Sequence, residues 1–277
     1  MAFATVNFFS RALNRTVPVN VLIPTDKRVK PGRPAPSLGP YKTLYLLHGI
    51  LGNYTDWING TRLQKIADTY NLCVVMPSGD NKFYADSMLS GDMYGQFIAQ
   101  ELVDLTRRTF RLSTRREDTF IGGLSMGGFG AITNALRHSE TFSCCAALSS
   151  ALVKESILHA YDEPGHDFFT RRQYMTMFSL DRIEDFNGCD ADYDHLARRL
   201  AQTDAPRPRF YMACGMQDNL FDVNVAYRDL LVELGYDVTW QQWEGGHDWK
   251  FWDEAIERVI VDFLPLGIGE EAVSSGN

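Results

Sequence analysis

No stretch of the chain approaches the roughly 18 uninterrupted apolar residues that a membrane-spanning helix requires. Positive charge is short as well: 27 basic side chains face 35 acidic ones, a formal net charge of −8. That balance gives no electrostatic reason to hold a phosphate backbone, which excludes nucleic-acid binding. The opening run MAFATVNFFSRALNR lacks a charged region ahead of an apolar stretch, because Asn7, Ser10 and Arg11 interrupt it. It does not read as a secretory signal, and a cytoplasmic location is expected.

Cysteine is sparse and odd in number: Cys73, Cys144, Cys145, Cys189 and Cys214, with no Cys-x-x-Cys spacing. Reduced, buried thiols are expected, not a disulfide framework or a zinc site. The acidic run DFNGCDADYDH offers Asp190, Asp192 and Asp194. However, His195 stands where an EF-hand loop needs glycine, and Ala201 where it needs glutamate. No metal is expected. Nucleotide signatures are missing too. After Gly128 and Gly130 the dinucleotide fingerprint loses its third glycine, and no Gly-Lys-Ser/Thr loop occurs. The expected chemistry is cofactor-free.

What remains is an ordinary globular composition, 45% hydrophobic and 22% charged over 277 residues. Eight runs read as strands: 3–9, 17–23, 42–47, 72–76, 118–122, 144–148, 208–214 and 237–243. A turn at Ala12 to Arg15 makes the first two an antiparallel hairpin. From residue 42 onward strands alternate with helical stretches at 61–70, 96–108, 126–138, 222–234 and 248–263. Alternation of this kind predicts an α/β fold with a mostly parallel sheet covered on both faces. In the helix at 222–234, Asp222 is the expected N-cap and Gly235 lies just past the end. Residues 29–41, rich in proline, read as an exposed hairpin loop. Residues 150–207 are too long for a bare connection and carry Phe168, Phe169, Tyr174, Met175, Met177 and Phe178. They read as a partly helical cap over the sheet.

The strongest chemical signal is Gly123-Leu124-Ser125-Met126-Gly127, between a strand and a helix. That is the setting of a nucleophile elbow, where tight packing demands glycines and the serine oxygen stands above the sheet. A serine needs a base to take its proton. His247, in WEGGHDWKFW, is the best-placed histidine, since Gly245 and Gly246 let its loop bend back. A carboxylate must hold that imidazole in one tautomer. Asp218, after the strand at 208–214, suits the role, with Asp222 as competitor. An oxyanion hole is drawn from the Ile50 and Met126 N–H groups, or from Leu51 if the turn is shifted by one residue.

Together YLLHGILGNYTDW, VVMPSGD, FIGGLSMGGFGA, CGMQDNLF and EGGHDWKFW resemble the esterase D-like α/β-hydrolases. The similarity is greatest to the tributyrin esterase branch, related to acetyl and feruloyl esterases. The resemblance implies a single α/β-hydrolase domain over 1–277 with an eight-stranded sheet and a cap at about 150–207. It implies a serine carboxylesterase acting on short-chain acyl esters, carbohydrate esters included, with Ser125, Asp218 and His247 as its triad. Trp57 and Trp249 are candidates for substrate contact. S-formylglutathione hydrolases are cousins with histidines where this chain has Leu124 and Phe129. A thioesterase, an acyltransferase and a catalytically silent binding protein are the alternatives. The expected partner is a small-molecule ester, and self-association is left open.

Overall fold

In a computed structural model describing residues 1–27, 37–166 and 168–267, the strand-like runs join one eight-stranded sheet. Its strands are β1 (Ala2–Ser10), β2 (Arg15–Ile23), β3 (Thr43–Leu47), β4 (Cys73–Pro77), β7 (Thr119–Leu124), β8 (Cys144–Leu148), β9 (Arg209–Gly215) and β10 (Val238–Trp243). A separate two-stranded ribbon holds β5 (Asp86–Ser87) and β6 (Asp92–Met93), which the sequence did not announce. The order across the large sheet is β1-β2-β4-β3-β7-β8-β9-β10. Pairing is antiparallel for β1 with β2 and β2 with β4, and parallel from β4 to β10.

The helices are α1 (Asp56–Gly60), α2 (Leu63–Thr69), α3 (Tyr94–Gln96), α4 (Leu102–Thr109), α5 (Met126–Arg137), α6 (Lys154–Leu158), α7 (Arg171–Phe178), α8 (Tyr193–Ala201), α9 (Phe221–Glu233) and α10 (Trp249–Arg258). A π turn, Phe97–Glu101, joins α3 to α4. Every residue of β3, β4, β7 and β8 is buried, as a parallel sheet covered on both sides demands. Alternate residues serve opposite cores: Tyr45 and Leu47 pack with α4, α5 and α9, Leu44 and Leu46 with α1, α2 and α10.

Two expectations need correction. β2 and β3 are not sheet neighbours, because β4 lies between them, so the connection that includes 29–41 is not a hairpin link. Residues 28–36 lie outside the described residues. Asp222 does not cap α9: the helix starts at Phe221 after Leu220, with no side-chain cap. The turn after β9 already satisfies this end, because Asp218 accepts from the N–H groups of Leu220 and Phe221. Asp222 sits in the first turn, where its charge suits the helix dipole.

The segment 150–207 carries α6, α7, a 3₁₀ turn at Ile183–Phe186, and α8. Helix α7 opens with a reciprocal Thr170–Gln173 cap. Buried Tyr174, Met177, Phe178, Phe186, Tyr193 and Leu196 belong to the same core as α5, so the segment is packed into the fold over this face. Among the described residues no helix is long and apolar enough to cross a membrane.

Candidate active site

Strand β7 runs straight into Ser125, whose backbone holds φ 53°, ψ −120° before α5 begins. A non-glycine residue with positive φ costs about 1–3 kcal/mol and persists only where its surroundings enforce it. Here they do. The Ser125 N–H donates to Leu148 O at 2.9 Å, and Ser125 O accepts from the N–H groups of Ala151 and Phe129. The elbow packs so closely on β3 that a Cβ at Gly127 would lie 2.4 Å from Leu47 O and 2.6 Å from His48 O. Glycine is required there by space.

Strands β9 and β10 are parallel neighbours, so the loops leaving their carboxyl ends lie side by side. Three hydrogen bonds stitch those loops. Met216 N–H donates to Trp243 O, Gln217 N–H to Gly245 O, and Gly245 N–H to the Gln217 side chain. A Cβ at Gly215 would stand 2.2 Å from Gly245 O, so glycine is again forced by close approach. The stitching brings Asp218 against His247.

Asp218 Oδ2 lies 2.9 Å from His247 Nδ1, and His247 Nε2 lies 2.9 Å from Ser125 Oγ. The Asp218 side chain is fully buried, while that of His247 is 30% exposed, open to a substrate on one side. Burial pushes the Asp218 carboxyl up. Hydrogen bonds from His247 and the Leu220 N–H outweigh it and leave the group below its ordinary value. An ionised acceptor at Nδ1 assigns the ring proton to that nitrogen and leaves Nε2 free to accept from the serine hydroxyl. Asp248 is not part of this set: its carboxylate accepts from Phe251 N–H and caps α10.

The loop after β3 supplies the other edge. Met126 is the first residue of α5, so its N–H has no partner within the helix. The Ile50 N–H has no hydrogen-bond partner among the described residues. Leu51 does: its N–H donates to Asn81 Oδ1 at 2.8 Å, which takes it out of consideration as an oxyanion donor. His48 anchors this loop. Its Nδ1 bonds Gly49 O, its Nε2 accepts from Gly79 N–H, and Tyr84 OH donates to its carbonyl. Burial lowers the His48 pKa and keeps the ring neutral.

Sequence reasoning missed this brace from residues 78–84. Asp80, Phe83 and Tyr84 all hold positive φ without being glycine, and no residue type in NKFYADS signals that conformation. The strained pair points two ways: Tyr84 holds the loop at His48, and Phe83 faces the cavity over Ser125.

That cavity measures about 1070 Å³ and is lined by Ile50, Phe83, Ser125, Met126, His247 and the inserted segment. From the segment come Leu152, Phe168, Phe169, Tyr174 and Tyr193, among others. Charged side chains of α8 and α9 line it too, Asp194, Arg198, Asp229 and Glu233, with Lys154 from α6. The volume is at the upper end of ordinary ligand pockets, larger than the small closed pocket a short acyl group needs. Trp57 and Trp249 do not line it. Trp57 is 1% exposed, donates Nε1–H to Leu47 O, and meets Trp249 edge to face between α1 and α10. Trp57 is buried in the core on the sheet face opposite the cap, and half-buried Trp249 packs against that core.

The family model Esterase, described as "Putative esterase", matches residues 10–263. A protein named acetyl esterase from Caldicellulosiruptor saccharolyticus is 37% identical over 260 residues, covering 94% of this chain and 97% of the relative. Among solved structures, the fluorophosphonate-binding serine hydrolase FphF of Staphylococcus aureus superposes with a TM-score of 0.80 at 28% identity. That match covers 94% of this chain and 96% of the other. An S-formylglutathione hydrolase from the same organism gives 0.78 at 27%, over 94% and 97%.

Proposed function

The chain belongs to the Esterase family, and from that premise we propose that it is a serine carboxylesterase releasing short acyl groups through an acyl-enzyme on Ser125. The observation that carries this reading is the pair of 2.9 Å contacts linking Asp218, His247 and Ser125. His247 Nε2 takes the proton of Ser125 as its oxygen attacks the ester carbonyl. The Ile50 and Met126 N–H groups hold the oxyanion that develops. His247, paired with ionised Asp218, then protonates the leaving alcohol. Water enters, gives its proton to His247 and attacks the acyl carbonyl, and His247 returns that proton to Ser125 Oγ as the serine–acyl bond breaks and the acid leaves. No step calls on a metal or cofactor.

The acetyl esterase relative supports a short acyl group, and so does the wall beside Ser125. Ile50, Phe83, Met126, Leu152 and Phe169 line the same cavity as Ser125, and charged side chains line it as well, which suits a polar leaving group. Each buried methylene contributes about 0.8 kcal/mol until the acyl side is full. A panel of p-nitrophenyl esters tests this. kcat/KM is expected to peak between acetate and butyrate and to fall by octanoate. A rate climbing steadily through decanoate would contradict it.

A second reading is a thioesterase with a charged leaving group, favoured by Lys154, Asp194, Arg198, Asp229 and Glu233 in the cavity lining. Leu124 and Phe129 stand against it, in the positions where its cousins carry histidine. Acyl-glutathione thioesters and acetylated sugars in the same panel decide the leaving group.

A further inference from the structure

The turn that carries the Ile50 N–H is held in a conformation its own residues disfavour. Gly52 N–H donates to Gly49 O at 3.3 Å, which closes a four-residue turn with Ile50 and Leu51 at its centre. Leu51 holds φ 66°, while Ile50 keeps a negative φ. That is the pattern of a type II turn, whose third position is normally glycine because φ is positive there. A leucine at that position is strained. Its side chain is 76% exposed and gains little packing to offset the strain.

The central peptide of the turn is held from outside. Leu51 N–H donates to Asn81 Oδ1 at 2.8 Å. A flip of the Ile50–Leu51 peptide would bring Leu51 to the negative φ that leucine prefers. It would also turn the Ile50 carbonyl oxygen toward Asn81 Oδ1 and lose the bond. Water would satisfy so exposed an N–H, so what Asn81 adds is direction. Asn81 is itself anchored through its neighbour Asp80, left-handed at φ 45°. The Asp80 carboxylate accepts from Arg15 Nη2 at 2.9 Å and from Tyr94 OH at 2.5 Å.

The turn lies against the nucleophile, since a Cβ at Gly49 would stand 3.4 Å from Ser125 Cβ. On the esterase reading above, we propose that Asn81 is a positioning residue of the oxyanion hole. It locks Leu51 in the left-handed conformation, and that lock keeps the neighbouring Ile50 N–H in place for the oxyanion. A donor of this kind acts at about 2.7–3.1 Å from the oxygen it stabilises, so a turn that flips or tilts loses rate without losing substrate.

The test places Asn81→Ala in two backgrounds, wild type and Leu51→Gly, and follows p-nitrophenyl acetate hydrolysis. In the wild-type background kcat is expected to fall about three- to tenfold with KM little changed, the size of one neutral hydrogen bond. Affinity for a trifluoromethyl ketone, which forms an oxyanion on the serine, is expected to fall by the same factor. Glycine adopts positive φ without strain and needs no lock. In the Leu51→Gly background the same substitution is therefore expected to cost less than about twofold, a coupling that a merely structural loss would not show. Asn81→Leu keeps the volume and loses the acceptor, and it decides the matter if Asn81→Ala fails to fold. Equal losses in both backgrounds, or a rise in KM with kcat and ketone affinity unmoved, would overturn the positioning role. A wild type inert toward every ester and toward the ketone would overturn the esterase reading instead.

Discussion

Two regions meet over Ser125, and different interactions order them. Along the sheet edge the backbone places the candidate catalytic groups. Ser125 is fixed through its own N–H and carbonyl, and the Asp218 and His247 loops are stitched through Gln217 and Gly245. The covering segment is ordered by side chains: Phe178 packs on Phe83 and Phe186, Phe169 on Tyr174, and Tyr193 on Phe129. Proton transfer along a hydrogen-bonded chain loses rate on a displacement of about 1 Å. Aromatic packing tolerates exchanges of similar volume at modest cost. On the proposed function, chemistry belongs to the first region and selectivity to the second.

The largest expected effect breaks the first region. Nucleophile and base act as a unit, so Ser125→Ala is expected to lower kcat on the order of 10⁴-fold or more while melting near wild type. Retention of a tenth of the activity would refute the assignment. Asp218→Asn is expected to cost roughly 10⁴-fold by favouring the wrong imidazole tautomer. Asp222→Asn, in the first turn of α9, is expected to stay near wild type, and a reversal of that order in kinetic assays would move the carboxylate to Asp222. Phe169→Ala sharpens the contrast. Truncating this cap side chain is expected to raise the octanoate-to-acetate ratio of kcat/KM about tenfold, with kcat on acetate nearly unchanged. An equal fall on all esters would show that the segment positions the chemistry as well.

The smallest effect is on stability. Burial holds the pKa values of His48 and His138 below the ordinary histidine value. The unfolded chain then binds more protons as pH falls through the ordinary range near 6.5, and stability falls with it. Thermal melts from pH 7.5 to 5 are expected to show a progressively lower Tm. A constant Tm over that interval would contradict the neutral, buried state of both rings.

The same division separates what was legible in the sequence from what was not. The central strands were readable because fully buried parallel strands are short apolar runs, such as CCAAL and TLYLL, bounded by turns. Ser125, Asp218 and His247 were readable because each follows a strand at one sheet edge, where the chain's order of motifs specifies their neighbours. Trp57 and Trp249, which do not line the cavity over Ser125, were less legible for the opposite reason. Tryptophan serves core and pocket alike, and which face of the sheet it joins depends on the route of α1 and α10. The Phe83–Tyr84 brace was invisible, since left-handed aromatic residues are imposed by packing and not by propensity.

The central claim is that Ser125 is the nucleophile, and one measurement addresses it directly. Wild-type protein and Ser125→Ala are treated with a fluorophosphonate, then read by intact mass and peptide mapping, with ester hydrolysis followed in parallel. The account predicts one equivalent of adduct on Ser125, loss of hydrolysis in step with labelling, and no adduct in the variant. Full labelling at another residue, or hydrolysis that continues after Ser125 is blocked, would contradict it.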